Sequence, residues 1–154
     1  MIDIRPARPG EGQALYDVTQ TAVTGLASGH YSAEQIANWM GGRDAAHYEQ
    51  VIARGGVRVA VRGKAILGFV DTEPGVLLRL FVRPGTAGQG LGRRLLALGV
   101  AAAMQDGCVR LEATLNAAPF YEKHGFVAQG RALYQHELGG LPVEIVKMLY
   151  VAAG

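Results

Sequence analysis

Residues 84–92 read Pro-Gly-Thr-Ala-Gly-Gln-Gly-Leu-Gly, and the segments on either side of them differ in hydrophobic period. The preceding run from Val76 to Val82 is apolar with one charged interruption, Arg79, as in a buried strand. The following segment, up to Gly107, repeats its apolar residues at helical spacing. The sequence therefore predicts a strand, a glycine-rich loop and a helix. Such a loop leaves backbone N–H groups uncovered at the positive end of the helix, where a pyrophosphate fits.

Two common nucleotide-binding loops do not match these glycines. A Walker A loop continues from its last glycine into Lys-Ser or Lys-Thr, whereas Gly92 is followed by Arg93 and Arg94, with no hydroxyl for Mg²⁺. A Rossmann fingerprint requires Gly or Ala where Arg93 stands, within a parallel βαβ unit. The strands before the loop instead follow one another through short turns, as in an antiparallel meander. Both classes of nucleotide site are therefore excluded.

The rest of the chain alternates between short strands and helices. An alternating N-terminus indicates a first strand, the capping-box spacing at Ser32 and an N-cap at Asp44 indicate helices, and residues 57–70 have a hairpin pattern. The predicted order is one strand, two or three helices, three strands, a helix, a strand, a short helix and two strands. No linker or repeat divides residues 1–154, which we expect to form a single domain.

The composition excludes several classes of function. Hydrophobic residues make up 49% and charged residues 18% of the chain, and no apolar run approaches the roughly 20 residues of a membrane span. No signal-peptide pattern opens the sequence, so we expect a cytoplasmic protein with no membrane partner. A net charge of +2 with scattered basic residues does not favour a nucleic-acid partner. Cys108 is the only cysteine, and its apolar neighbours favour packing over nucleophilic chemistry.

The glycine pattern resembles the GNAT superfamily of N-acetyltransferases, whose signature is Gln or Arg, two residues, Gly, one residue, then Gly or Ala, after the fourth strand. Gly90 and Gly92 match its glycines, Gly88 matches a common additional one, and Pro84 stands where proline is frequent. Ala87 occupies the Gln or Arg position. The contribution of that side chain is therefore missing, while binding by backbone N–H groups is unaffected.

A second segment carries the same resemblance independently. Residues 116–126 are similar to the family's box of Ala, three residues, Tyr, three residues and Gly-Phe, matched by Ala117, Tyr121, Gly125 and Phe126. The resemblance extends over nearly the whole chain, because the predicted order of elements is the GNAT order. It implies an α/β (α+β) fold with a mixed, largely antiparallel sheet of six to seven strands. The fourth and fifth strands would splay apart, and four or five helices would flank the sheet.

By this resemblance the co-substrate is acetyl-CoA, and no metal ion is expected. The pantetheine arm would pair with the backbone of the fourth strand, and the pyrophosphate would lie in the glycine-rich loop. The family's asparagine after the fifth strand corresponds to Asn116, or to Thr114 if the loop is not shortened. The implied donor-binding residues are Leu80, Phe81, Val82, Gly88, Gln89, Gly90, Leu91, Gly92, Arg93 and Asn116. Arg94 and Lys123 could also meet the phosphates or lie on the solvated surface.

Acetyl transfer to an amine requires that the amine first lose its proton. A lysine-like ammonium with a pKa of about 10.4 is neutral in only about one molecule in 2,500 at pH 7. Glu112 on the fifth strand and Glu73 at the turn before the fourth strand are the candidate bases, with His30 as a third option. A backbone N–H of the fourth strand, around Phe81 or Val82, would hold the oxyanion of the tetrahedral intermediate formed by direct attack. The resemblance implies Tyr121 as the general acid that protonates the departing thiolate.

The sequence leaves two alternatives open, one about catalysis and one about the acceptor. A non-catalytic sensor or regulatory module that binds acyl-CoA is an alternative to an enzyme, because Ala87 departs from the motif and the base is not fixed. The acceptor, a small-molecule or peptide amine, is not identified. Four aromatic residues could line its pocket or belong to the core: Tyr16, Tyr31, Trp39 and Tyr48. If the protein forms a homodimer, a hydrophobic sheet edge at residues 143–151 is the expected contact.

Overall fold

The computed structural model describes residues 1–26, 29, 31–86, 90–134 and 143–153, apart from the side chains of Leu26 and Asn38. In chain order the elements are β1 (Asp3–Pro6), α1 (Gly12–Leu26), α2 (Ala33–Met40), α3 (Ala45–Ala53), β2 (Val57–Arg62), β3 (Ala65–Glu73), β4 (Val76–Val82), a 3₁₀ turn (Pro84–Thr86), α4 (Leu91–Ala103), β5 (Cys108–Thr114), α5 (Ala118–Lys123), β6 (Val127–Tyr134) and β7 (Val143–Val151). This order confirms the predicted one, with three helices between β1 and β2. Within the described ranges, no helix is both long and apolar enough to cross a membrane.

The seven strands form one sheet in the order β1-β2-β3-β4-β5-β7-β6. All neighbours run antiparallel except β4 and β5, which run parallel. The predicted fold class is therefore confirmed. The prediction of a free edge at residues 143–151 is wrong, because β7 lies between β5 and β6. The last hairpin places its second strand inside the sheet, so β6 and not β7 is the edge strand at this end, and chain order alone does not reveal this arrangement.

The fourth and fifth strands separate soon after they begin. They share one residue pair, Val76 opposite Arg110, and the Arg110 N–H donates to the Gly75 carbonyl at 2.9 Å. Beyond that pair no ladder joins the two strands, although each is paired along its other side. The sheet therefore consists of two halves, β1–β4 and β5–β7, that meet at one end and diverge toward the other.

A bulge in β4 accounts for this divergence. In the ladder with β3, Leu77 lies opposite Thr72 and Arg79 lies opposite Asp71, which leaves Leu78 as an extra residue on β4. A β-bulge bends its strand and increases the local twist. The second half of β4 therefore turns away from β5 while it stays paired with β3.

The sheet separates two hydrophobic cores. Side chains of a strand alternate between the two faces of a sheet. In β7, Val143 and Ile145 pack in the core formed with α1, α2 and α3, whereas Val146 and Met148 pack in the core formed with α4 and α5. Burial of one large apolar side chain contributes about 1.5–3 kcal/mol. The helices on both faces are thus fixed on the sheet by many such side chains, and the gap between β4 and β5 is bounded by firmly packed elements.

The predicted starts of α2 and α3 are confirmed by their capping hydrogen bonds. The Gln35 N–H donates to Ser32 Oγ at 3.0 Å, and the Ser32 N–H donates to Gln35 Oε1 at 2.9 Å, which is a reciprocal capping box. At the start of α3, the His47 N–H donates to Asp44 Oδ1 at 2.9 Å. These local signals fix both helix starts because each orphan N–H finds a side-chain oxygen within one turn.

Helix α4 ends earlier than its apolar periodicity predicts. Met104 leaves the helical region with φ −51° and ψ 124°, so the helix stops at Ala103 instead of continuing to Gly107. The Gly75 N–H in the β3–β4 turn donates to the Ala103 carbonyl at 2.6 Å. One of the last carbonyl groups of the helix is therefore satisfied by a distant turn, a contact that local periodicity does not encode.

Candidate functional site

A cleft with a volume of about 370 Å³ occupies the gap between β4 and β5. Gly92 and Tyr121, from α4 and α5, line it on one face of the sheet, and Val23 and Trp39, from α1 and α2, line it on the other. The cleft therefore passes through the sheet from one face to the other. The sequence-predicted residues that line it are Leu80, Phe81, Val82, Gly92, Glu112, Thr114, Asn116 and Tyr121.

The edge of β4 presents to this cleft main-chain groups that have no strand partner among the described residues. The Arg83 N–H donates to the Leu67 carbonyl at 2.8 Å, so the odd-numbered residues at this end of β4 bond to β3. Because an antiparallel ladder alternates, the N–H and C=O groups of Leu80 and Val82 point toward the gap. Phe81 directs its main chain to β3 and its side chain to the cleft wall. An extended chain with amide groups could therefore pair with Leu80 and Val82.

The start of α4 lies beside the cleft and has the geometry of an uncapped helix N-terminus. Gly90 occupies the N-cap position in the left-handed region, with φ 72° and ψ 10°, and a glycine has no side chain with which to cap the helix. Arg93 Nη2 lies 3.8 Å from the place a Cβ of residue 90 would take, so this guanidinium approaches the same end. A positive group at a positive helix end is unfavourable unless an anion joins them. Ala87, Gly88 and Gln89 lie outside the described residues.

Asn116 supplies a buried hydrogen-bond acceptor with no partner. Its Oδ1 is enclosed by the protein and accepts no hydrogen bond from the part of the chain that the structure describes. Thr114, the alternative position for the family's asparagine, also lines the cleft. A buried acceptor without a donor costs about 1–3 kcal/mol. Asn116 is therefore suited to a ligand that brings an N–H group into the cleft.

Tyr121 is buried in the wall of the cleft, on α5. Its ring packs edge-on against Phe120, with 5.3 Å between ring centroids, and against Phe126, at 5.7 Å. Burial raises the pKa of its phenol far above the ordinary value of about 10. The hydroxyl therefore keeps its proton throughout the neutral and mildly alkaline range, as a proton donor must.

The two candidate glutamates lie in different places. Glu112 lines the cleft from β5, opposite Lys147 of β7, with its side chain exposed. Glu73 lies at the end of β3, where it lines a second cavity of about 350 Å³ together with Arg54 and Arg58. The structure thus brings Glu112, and not Glu73, into the cleft that Tyr121 also lines. His30 lies outside the described residues.

The remaining basic candidates lie away from the cleft lining. Arg94 is exposed on α4 and its Nη2 donates to the Ile2 carbonyl at 3.3 Å, while Lys123 is exposed on α5. Leu91 is only 1% exposed, so its side chain belongs to the core and its backbone N–H is what remains for a ligand. Of the ranges that the structure covers, none brings three His, Cys, Asp or Glu side chains together as a metal site would need.

Comparison with known proteins agrees with this geometry. Residues 27–147 match the family model described as an acetyltransferase (GNAT) domain. The chain belongs to the GNAT acetyltransferase family. It is 31% identical over 125 residues to the N-acetyltransferase YafP of Escherichia coli, a match that covers 81% of each chain. Membership of this family makes the protein an acyltransferase.

Solved GNAT structures share the whole fold. A GCN5-related N-acetyltransferase from Rhodopseudomonas palustris superposes with a TM-score of 0.87 at 24% identity, over 97% of this chain and 94% of that one. The paia N-acetyltransferase from Thermoplasma acidophilum, solved in complex with coenzyme A, gives a TM-score of 0.77 at 20% identity, over 98% and 99% of the two chains. At these identities the likeness demonstrates the fold.

Sequence reasoning missed an ion pair beside the cleft of this GNAT domain. Arg79 lines the cleft from β4, and its Nη1 lies 2.5 Å from Asp71 Oδ2 on β3. Arg79 was visible as the one charge in an apolar strand, but Asp71 gave no signal because the pairing depends on the bulge at Leu78. Asp71 is 2% exposed, so the pair is anchored inside the protein.

The predicted aromatic residues divide between cleft and core. Trp39 lines the cleft, whereas Tyr16 and Tyr48 pack in the core. The Tyr31 hydroxyl accepts a hydrogen bond from the Leu115 N–H at 2.9 Å and donates one to the Glu144 carbonyl at 2.6 Å. Leu115 and Glu144 would be the next pair of the β5–β7 ladder. The Tyr31 hydroxyl therefore bridges the Leu115 N–H and the Glu144 carbonyl at that pair. Tyr31 thus ties the start of α2 to the open end of β5.

Proposed function

We propose that this GNAT protein transfers an acetyl group from acetyl-CoA to a primary amine. The single observation that carries the proposal is the open edge of β4, where Leu80 and Val82 direct unpaired main-chain groups into a cleft also lined by Tyr121. An extended donor with amide groups fits such an edge. The neighbour from Thermoplasma acidophilum, whose structure contains coenzyme A, supports this choice of donor.

The chain offers a partner for each part of the donor. Leu80 and Val82 would pair with the pantetheine amides as a neighbouring strand does, and the unpaired Asn116 Oδ1 would accept a pantetheine N–H. The pyrophosphate would lie at the start of α4, where backbone N–H groups and the Arg93 guanidinium converge. The residues proposed for that contact are Gly88, Gln89, Gly90, Leu91, Gly92 and Arg93.

The proposed mechanism uses one group on each side of the gap. Glu112 takes the proton of the acceptor amine, directly or through water, and the nitrogen bonds to the acetyl carbon. The Leu80 or Val82 N–H donates to the carbonyl oxygen while it carries negative charge. The C–S bond then breaks, Tyr121 gives its hydroxyl proton to the sulfur, and the nitrogen loses its second proton to solvent as the amide forms. Tyr121 then takes a proton back from solvent. Glu73 lies in another cavity and is therefore the second choice of base.

The function is tested by thiol release from acetyl-CoA across a panel of amines. We expect release that depends on both the protein and an amine, together with the acetylated amine in equal amount. Coenzyme A binding without release for any amine would contradict the proposal and support the non-catalytic acyl-CoA sensor. Absence of coenzyme A binding would contradict both.

A Glu112→Gln variant should lower kcat/KM at pH 7 by about 10²-fold, because general base catalysis is typically worth that much or more. The loss should shrink as the pH approaches the pKa of the acceptor amine, since solvent then supplies the neutral amine. Steady-state kinetics from pH 6 to 10, beside coenzyme A titration, measures both. Glu73→Gln serves as the matched variant: if it produces the loss and Glu112→Gln does not, the base is Glu73.

A further inference from the structure

Two charged side chains line the cleft from β4 and β5. Of the described residues that line it, Arg79 and Glu112 are the charged ones. Arg79 projects to the face that carries α1, α2 and α3, because it pairs with Asp71 two residues after Phe69, which is buried there. Glu112 projects to the same face, since its partner Lys147 lies two residues after Ile145. A cation on β4 and an anion on β5 therefore flank the gap.

The Arg79 guanidinium is held in place by a carboxylate that does not itself reach the cleft. Asp71 is 2% exposed, and the ion pair uses one guanidinium nitrogen, Nη1. An arginine carries five N–H donors in a fixed planar fork, so further donors are left for a second acceptor. The Arg79 side chain remains about one-fifth exposed, at 22%. Asp71 orients the guanidinium, and the remaining N–H groups can bind an anionic oxygen in the cleft.

The carboxylate that holds Arg79 also interacts with a second arginine. The charges of Arg54 and Arg79 act on Asp71, and those of Arg43 and Arg79 act on the Tyr48 phenol behind it. Burial is the main influence on Asp71 and raises its pKa, while the two arginines lower it. One buried carboxylate thus serves two arginines, which favours an additional anionic group next to Arg79.

We infer that Arg79 binds a carboxylate of the acceptor, so that the protein prefers amines that carry a carboxylate near the amino group over simple amines and polyamines. The inference rests on the proposed function, with the amine beside Glu112 and the carboxylate beside Arg79. The largely apolar lining of the cleft, which includes Val23, Trp39 and Phe81, further favours acceptors with an apolar side chain. Apolar amino acids are the simplest molecules with this combination of groups.

Matched pairs of amines that differ only in the carboxylate test the inference. Suitable pairs are phenylalanine with phenethylamine, leucine with 3-methylbutylamine, and methionine with 3-(methylthio)propylamine. A charge-assisted bidentate contact should favour the carboxylated member by roughly 10- to 100-fold, in kcat/KM and in the calorimetric dissociation constant with excess coenzyme A present. Equal or better use of the simple amines, or no binding of the carboxylated members, would overturn the inference.

Binding and turnover together separate this inference from the proposed function. Acetylation of simple amines without preference would leave the function standing and remove the role of Arg79. Selective binding of carboxylated amines without acetylation would support the role of Arg79 and contradict the function.

Variants then assign the preference to one side chain. Arg79→Gln alone leaves Asp71 buried without its partner and can fail to fold, so the double variant Asp71→Asn/Arg79→Gln, which removes both charges, is the main test. It should raise KM for the carboxylated member about 10-fold or more, with kcat and the KM of the simple amine little changed. Arg79→Lys should restore part of the preference. Arg131→Gln, which breaks the exposed ion pair with Glu144 on β6 and β7, is the matched control and should change nothing.

Discussion

Replacement of Tyr121 by phenylalanine should lower kcat by about 10²- to 10³-fold and leave coenzyme A affinity unchanged. The change removes one hydroxyl and almost no volume, so the ring contacts with Phe120 and Phe126 persist. General acid catalysis is worth about 10²–10⁴ in rate, and a thiolate leaves tolerably even without a proton, which places the loss in the lower part of that range. The effect belongs in kcat because the proton moves only during the chemical step.

The pH dependence follows from the burial of this phenol. A raised pKa keeps Tyr121 protonated as the pH rises, so its acid form should not titrate away between pH 7 and 10. The wild-type kcat should therefore show no alkaline decline in this range. Tyr150→Phe is the matched control, because Tyr150 packs against the same Phe126, at 5.4 Å, but does not line the cleft. Equal kcat values for the wild type and Tyr121→Phe would reduce Tyr121 to a packing residue.

A Gly90→Val variant should weaken coenzyme A binding by at least about 10²-fold. The left-handed backbone of Gly90, with φ 72°, costs an ordinary residue about 1–2 kcal/mol and a β-branched one more. Relaxation of that strain would turn the first N–H groups of α4 away from the phosphates, and each hydrogen bond to a charged group contributes about 1.5–3 kcal/mol. Calorimetric titration of the folded variant with coenzyme A measures the loss.

A second glycine separates strain from ligand contact. Gly63 in the β2–β3 turn has a similar φ of 60° and open space around the position of a Cβ, and it does not line the cleft. Gly63→Val should therefore lower the melting temperature as Gly90→Val does but leave the dissociation constant unchanged. Wild-type affinity in the folded Gly90→Val protein would show that the phosphates lie elsewhere.

The sequence predicted those features whose signals are local. The capping oxygens of Ser32 and Asp44 lie within one turn of the groups they bond, and both helix starts were predicted correctly. Glycine spacing marked the start of α4. The tyrosine box placed Tyr121 and Asn116 close together in the chain, and the structure brings both to the cleft.

Features that depend on strand register were not predictable in this way. Val76 to Val82 is a nearly continuous apolar run, so nothing in its pattern marks Leu78 as the extra residue of a bulge. The pairing of Asp71 with Arg79 follows from that bulge. Glu73 was a plausible base by its position in the chain, yet the meander carries it to a separate cavity. The order of β6 and β7 in the sheet likewise results from long-range pairing.

The single pairing between β4 and β5 also bears on how the molecule unfolds. Cooperative units in proteins tend to follow the continuity of their hydrogen-bonded ladders, and here the ladder is interrupted in the middle of the sheet. The two half-sheets can therefore open separately, with the segment that contains helix α4 as the covalent link between β4 and β5. A molecule laid along β4 that also contacts β5 would couple the halves, and at 100 times its dissociation constant it would add about 2.7 kcal/mol to the native state. The donor would then hold the two half-sheets together, so that the protein with bound donor unfolds as one cooperative unit and the protein without it unfolds as two.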